Sequence, residues 1–489
     1  MSNEMNKPIV LGNLLWKLME RTGTQGIQLV IQIVLARLLL PEDYGIIAII
    51  AIFLTISGVF VQSGLSTALI QKKDVDETDF STVFVLSLLI AGLIYITLFI
   101  TATEISVFFN EPRLVSVLRV LSLTLFLGAF NSVQNAVIAR NMKFKKLFAS
   151  SIMAIVGSGT IGIGMAFAGF GVWALVGQQL ANQLIITVVL WFTLSWRPKS
   201  DFSIDHLKVL FAFGWKLLVS ALVDVLSFNL RSLIIGKIYE PAMLGYYDMG
   251  SKLPGLIISN INGSILAVLL PALSFYQDDR PKVKSMVRRA IVTSSFVIFP
   301  MMAGLAIVTK PIVLILLTEK WLPAVPFIQL FCIAYALWPF HSANLQAINA
   351  LGRSDIFLKL ELIKFVIGLV ILALTMPYGI YAIAVGGTFS GLTSMYVNAY
   401  PNKILLNYSF WQQLKDISPS LLLTLAMGAI VCCIKLIGLP LVPMLILQIL
   451  AGVASYVLLA KLFKLECYTY LFETLKDMMK KTAHSSNVF

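Results

Sequence analysis

Charge is what this sequence has least of. Only 12% of its 489 residues are Asp, Glu, Lys or Arg, about half the roughly 25% carried by a soluble domain. Water therefore cannot be the solvent for most of the chain. Histidine occurs three times and cysteine four. Cys332, Cys432, Cys433 and Cys467 have no zinc-ligand spacing, and three of them fall in apolar runs, which argues for reduced, inert thiols. No glycine-rich phosphate loop is present, which excludes a self-contained ATPase. The outer connections between apolar runs hold no histidine, and the longest of them covers about thirteen residues, 310–322, leaving little room for an enzyme active site. The first ten residues are polar and lack the pattern of a cleavable signal peptide. No cofactor and no metal are expected.

What the chain does have is apolar length. Residues 147–196 run fifty positions without a charge, and 44–71, 253–277 and 436–460 are also charge-free. About 20 apolar residues cross the hydrocarbon core as a helix. A β-barrel would show alternation over roughly ten residues instead. The expected fold is all-α and integral to the membrane, with about fourteen transmembrane helices near 12–39, 44–70, 80–103, 114–139, 147–169, 172–195, 210–236, 244–274, 290–309, 323–350, 357–376, 380–400, 417–434 and 441–460. Glycine and proline mark the tight turns at Gly169, Gly171, Pro377 and Gly379.

Alternating the connections gives one set with eighteen basic residues, from Lys72 to Lys415, and an opposite set with six: Arg37, Arg113, Lys237, Lys310, Lys320 and Lys435. The positive-inside rule puts the richer set and both termini in the cytoplasm. The net charge of +13 is thereby explained without nucleic acid. Residues 466–489 form a basic, amphipathic tail suited to anionic headgroups.

The two halves resemble each other. Trp16-Lys17 opens the first span and Trp215-Lys216 the seventh; Pro41 and Gly45 are matched by Pro241 and Gly245; Phe130-Asn131-Ser132 is matched by Phe340-His341-Ser342. The expected domains are two parallel six-helix repeats, 1–200 and 201–403, then two further helices in 404–465 and the tail. Parallel repeats place a substrate site between them near the midplane.

Inside the repeat lies a periodic polar signal. Lys17, Arg21, Gln25, Gln28 and Gln32 draw one stripe along the first helix, and Lys216, Ser220, Asp224, Ser227 and Arg231 draw another along the seventh. Position for position they sit 199 residues apart. Arg, Lys or Asp at a helix centre costs about 2.5–3.5 kcal/mol on insertion scales. A water-accessible chamber between the halves answers that cost; an Asp224–Arg231 ion pair with interhelical glutamines is the structural alternative. Gln62, Asn131, Gln134, Asn262, His341 and Asn344 are candidates for a secondary lining, with side-chain packing an equal reading and a buried, satisfied role favoured for His341. Amides suit sugar hydroxyls, and arginine suits phosphate.

The segment Arg21-Thr-Gly-Thr-Gln-Gly-Ile-Gln through Ala36-Arg37-Leu-Leu-Leu-Pro41-Glu-Asp-Tyr-Gly45, with Ser63-Gly-Leu-Ser66 and Arg140-Asn-Met-Lys143-Phe144, resembles the polysaccharide transporter branch of the multidrug/oligosaccharidyl-lipid/polysaccharide exporter superfamily, the O-antigen and colanic-acid flippases. The resemblance spans roughly residues 10–460. It implies a multi-pass protein of the inner membrane that translocates an undecaprenyl-diphosphate-linked oligosaccharide by alternating access for surface polysaccharide synthesis. It also implies membrane lipids as surroundings, a monomer as the working unit, and polysaccharide polymerases as possible partners. A cation-coupled drug exporter of the same superfamily, using Asp224, is the alternative; a membrane polymerase or ligase is a more distant one.

Overall fold

The computed structural model describes residues 7–62, 65, 69, 72, 75–141, 144–199, 202–469 and 473; the side chains of 7–22, 144, 209, 210, 212–214, 216, 217, 264, 266–268 and 354 lie outside the description. Sixteen α-helices and three short 3₁₀ segments make up the described regular structure, and no strand occurs among the described residues. In chain order they are α1 (Lys7–Leu38), α2 (Pro41–Gln62), α3 (Glu77–Phe109), α4 (Leu114–Leu121), α5 (Thr124–Arg140), α6 (Phe144–Phe167), α7 (Val172–Thr193), α8 (Ile204–Ile238), α9 (Pro241–Phe275), α10 (Arg280–Leu316), α11 (Val325–Ala336), α12 (Trp338–Ala350), α13 (Ser354–Thr375), α14 (Ile380–Leu405), α15 (Phe410–Ile434) and α16 (Leu441–Leu462). Each of the fourteen apolar runs carries a helix, and the fourth and tenth are each broken in two. Among the described residues, eleven helical segments are long and apolar enough to cross a membrane.

Several helices outrun the spans expected for them, because their ends are set by caps and not by the bilayer. α3 starts at 77 because Asp76 accepts from the Asp79 N–H while the Asp79 carboxylate accepts from the Asp76 N–H, a capping box. Ser409 and Gln412 make the same arrangement before α15. Ser203 caps α8 and Asp279 caps α10. Such caps are worth about 1 kcal/mol each.

Outward faces are apolar. Leu93, Ile100, Leu425 and Leu458 are all more than 60% exposed. Large apolar side chains exposed to that degree are unusual on a soluble monomer and ordinary against lipid tails.

By contacts the chain forms two compact units, 1–248 and 249–489. In the first, α6 lies along α7 and also supports α1, and α2 packs on α8. Phe80, Phe84, Phe130, Trp191 and Trp196 form an aromatic cluster between α3, α5 and the end of α7. The seventh-span helix α8 belongs to this unit. The chain before it is pinned to α3, where the Lys199 N–H donates to Ser81 and the Ser203 N–H to Thr82. In the second unit α10 packs on α15 and α11, and α13 on α14. Its core gathers Val287, Phe340, Met395, Tyr408 and Ile417. Tyr456 on α16 donates to the Phe296 carbonyl at 2.9 Å.

The starts of α2 and α9 approach each other closely. A Cβ on Gly45 would strike the backbone of Pro241, and one on Gly245 would strike the backbone of Pro41. Motif-equivalent residues therefore meet reciprocally, backbone to backbone, where only glycine fits.

Candidate functional site

On α1 the described part of the stripe is Gln25, Gln28 and Gln32. Gln28 is exposed, and Gln25 and Gln32 are half-buried. The Gln25 Oε1 is buried without a hydrogen-bond partner. The side chains of Lys17, Arg21 and Lys216 lie outside the description. On α8, Ser220 and Asp224 are exposed, and Ser227 and Arg231 are half-buried. Ser227 folds back onto the Val223 carbonyl at 2.6 Å. The Arg231 Nε has no hydrogen-bond partner, and its charge reaches Tyr247. Both stripes belong to the first unit. An unmade hydrogen bond on a buried polar group costs about 1–3 kcal/mol, so Gln25 and Arg231 retain capacity that a ligand or water can fill.

The secondary residues behave differently. Gln62 is exposed at the end of α2. Asn131 is buried and donates to Gln183 Oε1 at 3.3 Å, and Gln134 is fully buried with both amide atoms unpaired. Asn262 is half-buried with its Oδ1 unpaired. Asn344 is fully buried in a closed network: its Nδ2 donates to Phe340 O and Gln413 Oε1, both at 2.8 Å, while its Oδ1 accepts from Asn402 at 2.7 Å and Gln413 at 3.1 Å. That is interhelical packing, one of the two readings open for these amides. His341 is 3.2 Å from the Asn398 amide nitrogen.

One feature escaped the stripe logic. On α13, Lys364 Nζ lies 2.6 Å from Glu361 Oε1, with the two side chains 15% and 27% exposed. The pair sits seven and ten residues inside the helix, and the charge of Lys364 is felt at His341 on α12. A charged pair within a span is a functional candidate by default. The signal in the sequence was an i, i+3 Glu/Lys pair in a run whose only other charge is Lys359.

Two further charged groups are structural. Asp79, fully buried, accepts from Lys72 at 2.6 and 2.8 Å and lies 2.8 Å from His206 Nδ1. Asp76 joins them, but the lysine ammonium already occupies the place a cation would take. In the turn between α3 and α4, Arg113 bonds Glu111 at 2.8 Å and reaches Glu42 at 3.3 Å. The Arg113 hydrogen bond holds the Glu111 carboxyl below its usual range, against the opposing effect of burial.

Residues 34–326 match the model of a family described as polysaccharide biosynthesis protein. The chain belongs to that family. Among curated proteins, this member is 23% identical to the succinoglycan biosynthesis transport protein of Rhizobium meliloti (strain 1021), over 75% of this chain and 74% of that one. It is 23% identical to a lipopolysaccharide biosynthesis protein of Escherichia coli (strain K12), over 69% of each. The teichuronic acid biosynthesis protein of Bacillus subtilis (strain 168) is 24% identical over 61% of this chain and 62% of that one. Among solved structures, the lipid II flippase in an inward closed conformation superposes with a TM-score of 0.76 at 16% identity, covering 92% of this chain and 98% of that one. An inward-facing multidrug transporter of the multidrug/oligosaccharidyl-lipid/polysaccharide superfamily gives 0.61 at 16% identity, covering 82% and 98%. These two show a common fold. This family member is a multi-pass membrane protein with the fold that those two solved structures share.

Proposed function

We propose that the protein is a flippase that carries undecaprenyl-diphosphate-linked oligosaccharide units across the inner membrane, with both termini cytoplasmic, by alternating access. The observation that carries this reading is the pair of hydrophilic faces on α1 and α8, in register at 199 residues and holding Gln25 and Arg231 atoms with unused hydrogen-bonding capacity. A planar guanidinium suits a diphosphate, and a run of amides suits sugar hydroxyls. Arg21, Lys216 and Arg231 attract the diphosphate in this scheme, while Gln25, Gln28 and Gln32 contact sugar, and Ser220, Asp224 and Ser227 complete the wet face. Relatives named for succinoglycan, lipopolysaccharide and teichuronic acid synthesis support the class of cargo. The net positive balance of the two stripes disfavours a cationic drug.

In a deletion strain complemented with variants, Arg231→Ala should lower surface polysaccharide by more than about tenfold, the worth of a charge-assisted contact pair, at unchanged protein abundance. Normal polysaccharide with Arg231→Ala and Arg21→Ala would remove the assignment.

A further inference from the structure

The second unit contains a cavity of about 830 Å³ between α9 and α10, within the roughly 300–1,000 Å³ of small-molecule sites. Its wall is apolar, built from Ile261, Ile265 and Leu269 on α9 and Met286, Ala290 and Val297 on α10. The two helices are joined by a short turn, so Leu269 and Met286 lie toward that turn while Ile261 and Val297 lie deeper. Eleven residues from Met286 to Val297 span about 16 Å at 1.5 Å per residue.

One charged side chain lines this groove, the exposed Arg289. It lies at the end of the basic segment Arg280, Lys282, Lys284, Arg288, Arg289, just before the apolar run of α10, the place along a span where a headgroup-level charge belongs. Arg289 also lines a second hollow, of about 470 Å³, with Ser285, Arg288, Thr293 and Thr469; Glu466 and Glu473 line it too. Arg288 is engaged there with Asp416 at 3.1 Å and Glu466 at 3.4 Å.

We infer that this groove is a docking subsite for the lipid-linked substrate, with the isoprenoid chain along Ile261, Ile265 and Val297, the diphosphate at Arg289 and the sugar beside Ser285 on the side of the turn. The inference rests on the flippase reading and deepens it. Charge complementarity selects the occupant: a long apolar groove with a cation at its interfacial end matches one chain bearing an anionic head. Arginine's fork fits a diphosphate, and a hydroxyl beside it fits a sugar.

The test uses the full-length protein in nanodiscs and a polyprenyl diphosphate carrying a photoreactive group on its chain, with adducts mapped by mass spectrometry. Adducts are expected on 261–297, suppressed by unlabelled undecaprenyl diphosphate and not by phosphatidylglycerol. Arg289→Ala and Ile265→Trp should each cut labelling about tenfold, the loss of one charge-assisted contact or of the chain's path. Equal competition by phosphatidylglycerol would mean ordinary bilayer lipid and overturn the subsite. So would adducts confined to α1 and α8, which would leave the flippase reading standing. No labelling anywhere in the wild type would overturn both. The competition experiment needs no variant, so a misfolded substitution does not blunt it.

Discussion

Glu361 and Lys364 show what a few ångströms decide inside a membrane. The pair is stable because each charge has a partner at 2.6 Å; removing one member leaves the other buried and uncompensated, which costs about 3–5 kcal/mol, whereas replacing both by apolar side chains is often near neutral. Glu361→Leu or Lys364→Leu alone should therefore lower the thermal midpoint of the purified protein more than the double substitution does. A double variant at least as destabilised as the worse single one would contradict this. Surface polysaccharide in the same variants then separates stability from function: a folded but inactive double variant marks the pair as part of the transport machinery. Glu111 supplies a second residue-scale expectation. Its folded pKa is depressed by the Arg113 hydrogen bond, so its contribution is present above the unfolded carboxyl pKa and is lost as pH falls through the lower, folded one. Melting curves of wild type and Glu111→Gln should converge on the acid side and separate toward neutrality, and a pH-independent difference would contradict the assignment.

The elements were legible to different degrees. Apolar length located all fourteen runs, because the hydrocarbon thickness imposes it on the sequence directly. Ends were less visible: α8 begins at 204 where apolar length suggests 210, and α10 at 280 where it suggests 290, because Ser203 and Asp279 cap helices that continue past the bilayer. The breaks in the fourth and tenth runs, at 122–123 and at Leu337, carry no breaker residue in the sequence at those positions, although Pro339 follows the second. The motif from Pro41 to Gly45 proved structural: Asp43 accepts from the Leu40 N–H at 3.0 Å to close the turn, and Gly45 admits the backbone of Pro241. A methyl group at Gly45 or Gly245 meets backbone atoms that cannot rotate away, which makes overpacking there severe. Gly45→Ala and Gly245→Ala should each sharply reduce membrane abundance, while Gly164→Ala, with open space around it, should leave it unchanged. Wild-type abundance of the two junction variants would contradict the reciprocal contact.

For the molecule as a whole, the sequence offers pairs of short motifs at nearly constant spacing, and two of them, Pro41–Gly45 and Pro241–Gly245, meet in the structure. The repeat boundary near 200 remains a reading of the sequence. The contact-based division falls later, after 248, because the chain entering α8 is tied to α3 by Ser81, Thr82 and Asp79. The polar faces proposed for the site were visible in the sequence because polarity is periodic on α1 and α8. It was not legible for Asn131, Gln134 and Asn344, because an amide that packs between helices and an amide that lines a cavity look alike in one dimension. Only the neighbours contributed by Gln183, Asn402 and Gln413 tell them apart.

Central to the account is that the stripes on α1 and α8 are wet. Single cysteines at positions 25, 28, 224 and 227, in a background where Cys332, Cys432, Cys433 and Cys467 are replaced, can be challenged in intact cells and in inverted vesicles with a membrane-impermeant maleimide. All four should react from at least one side, and control cysteines at the lipid-exposed positions 93 and 458 should not. Failure of all four to react from either side, with the protein folded and present, would contradict the account.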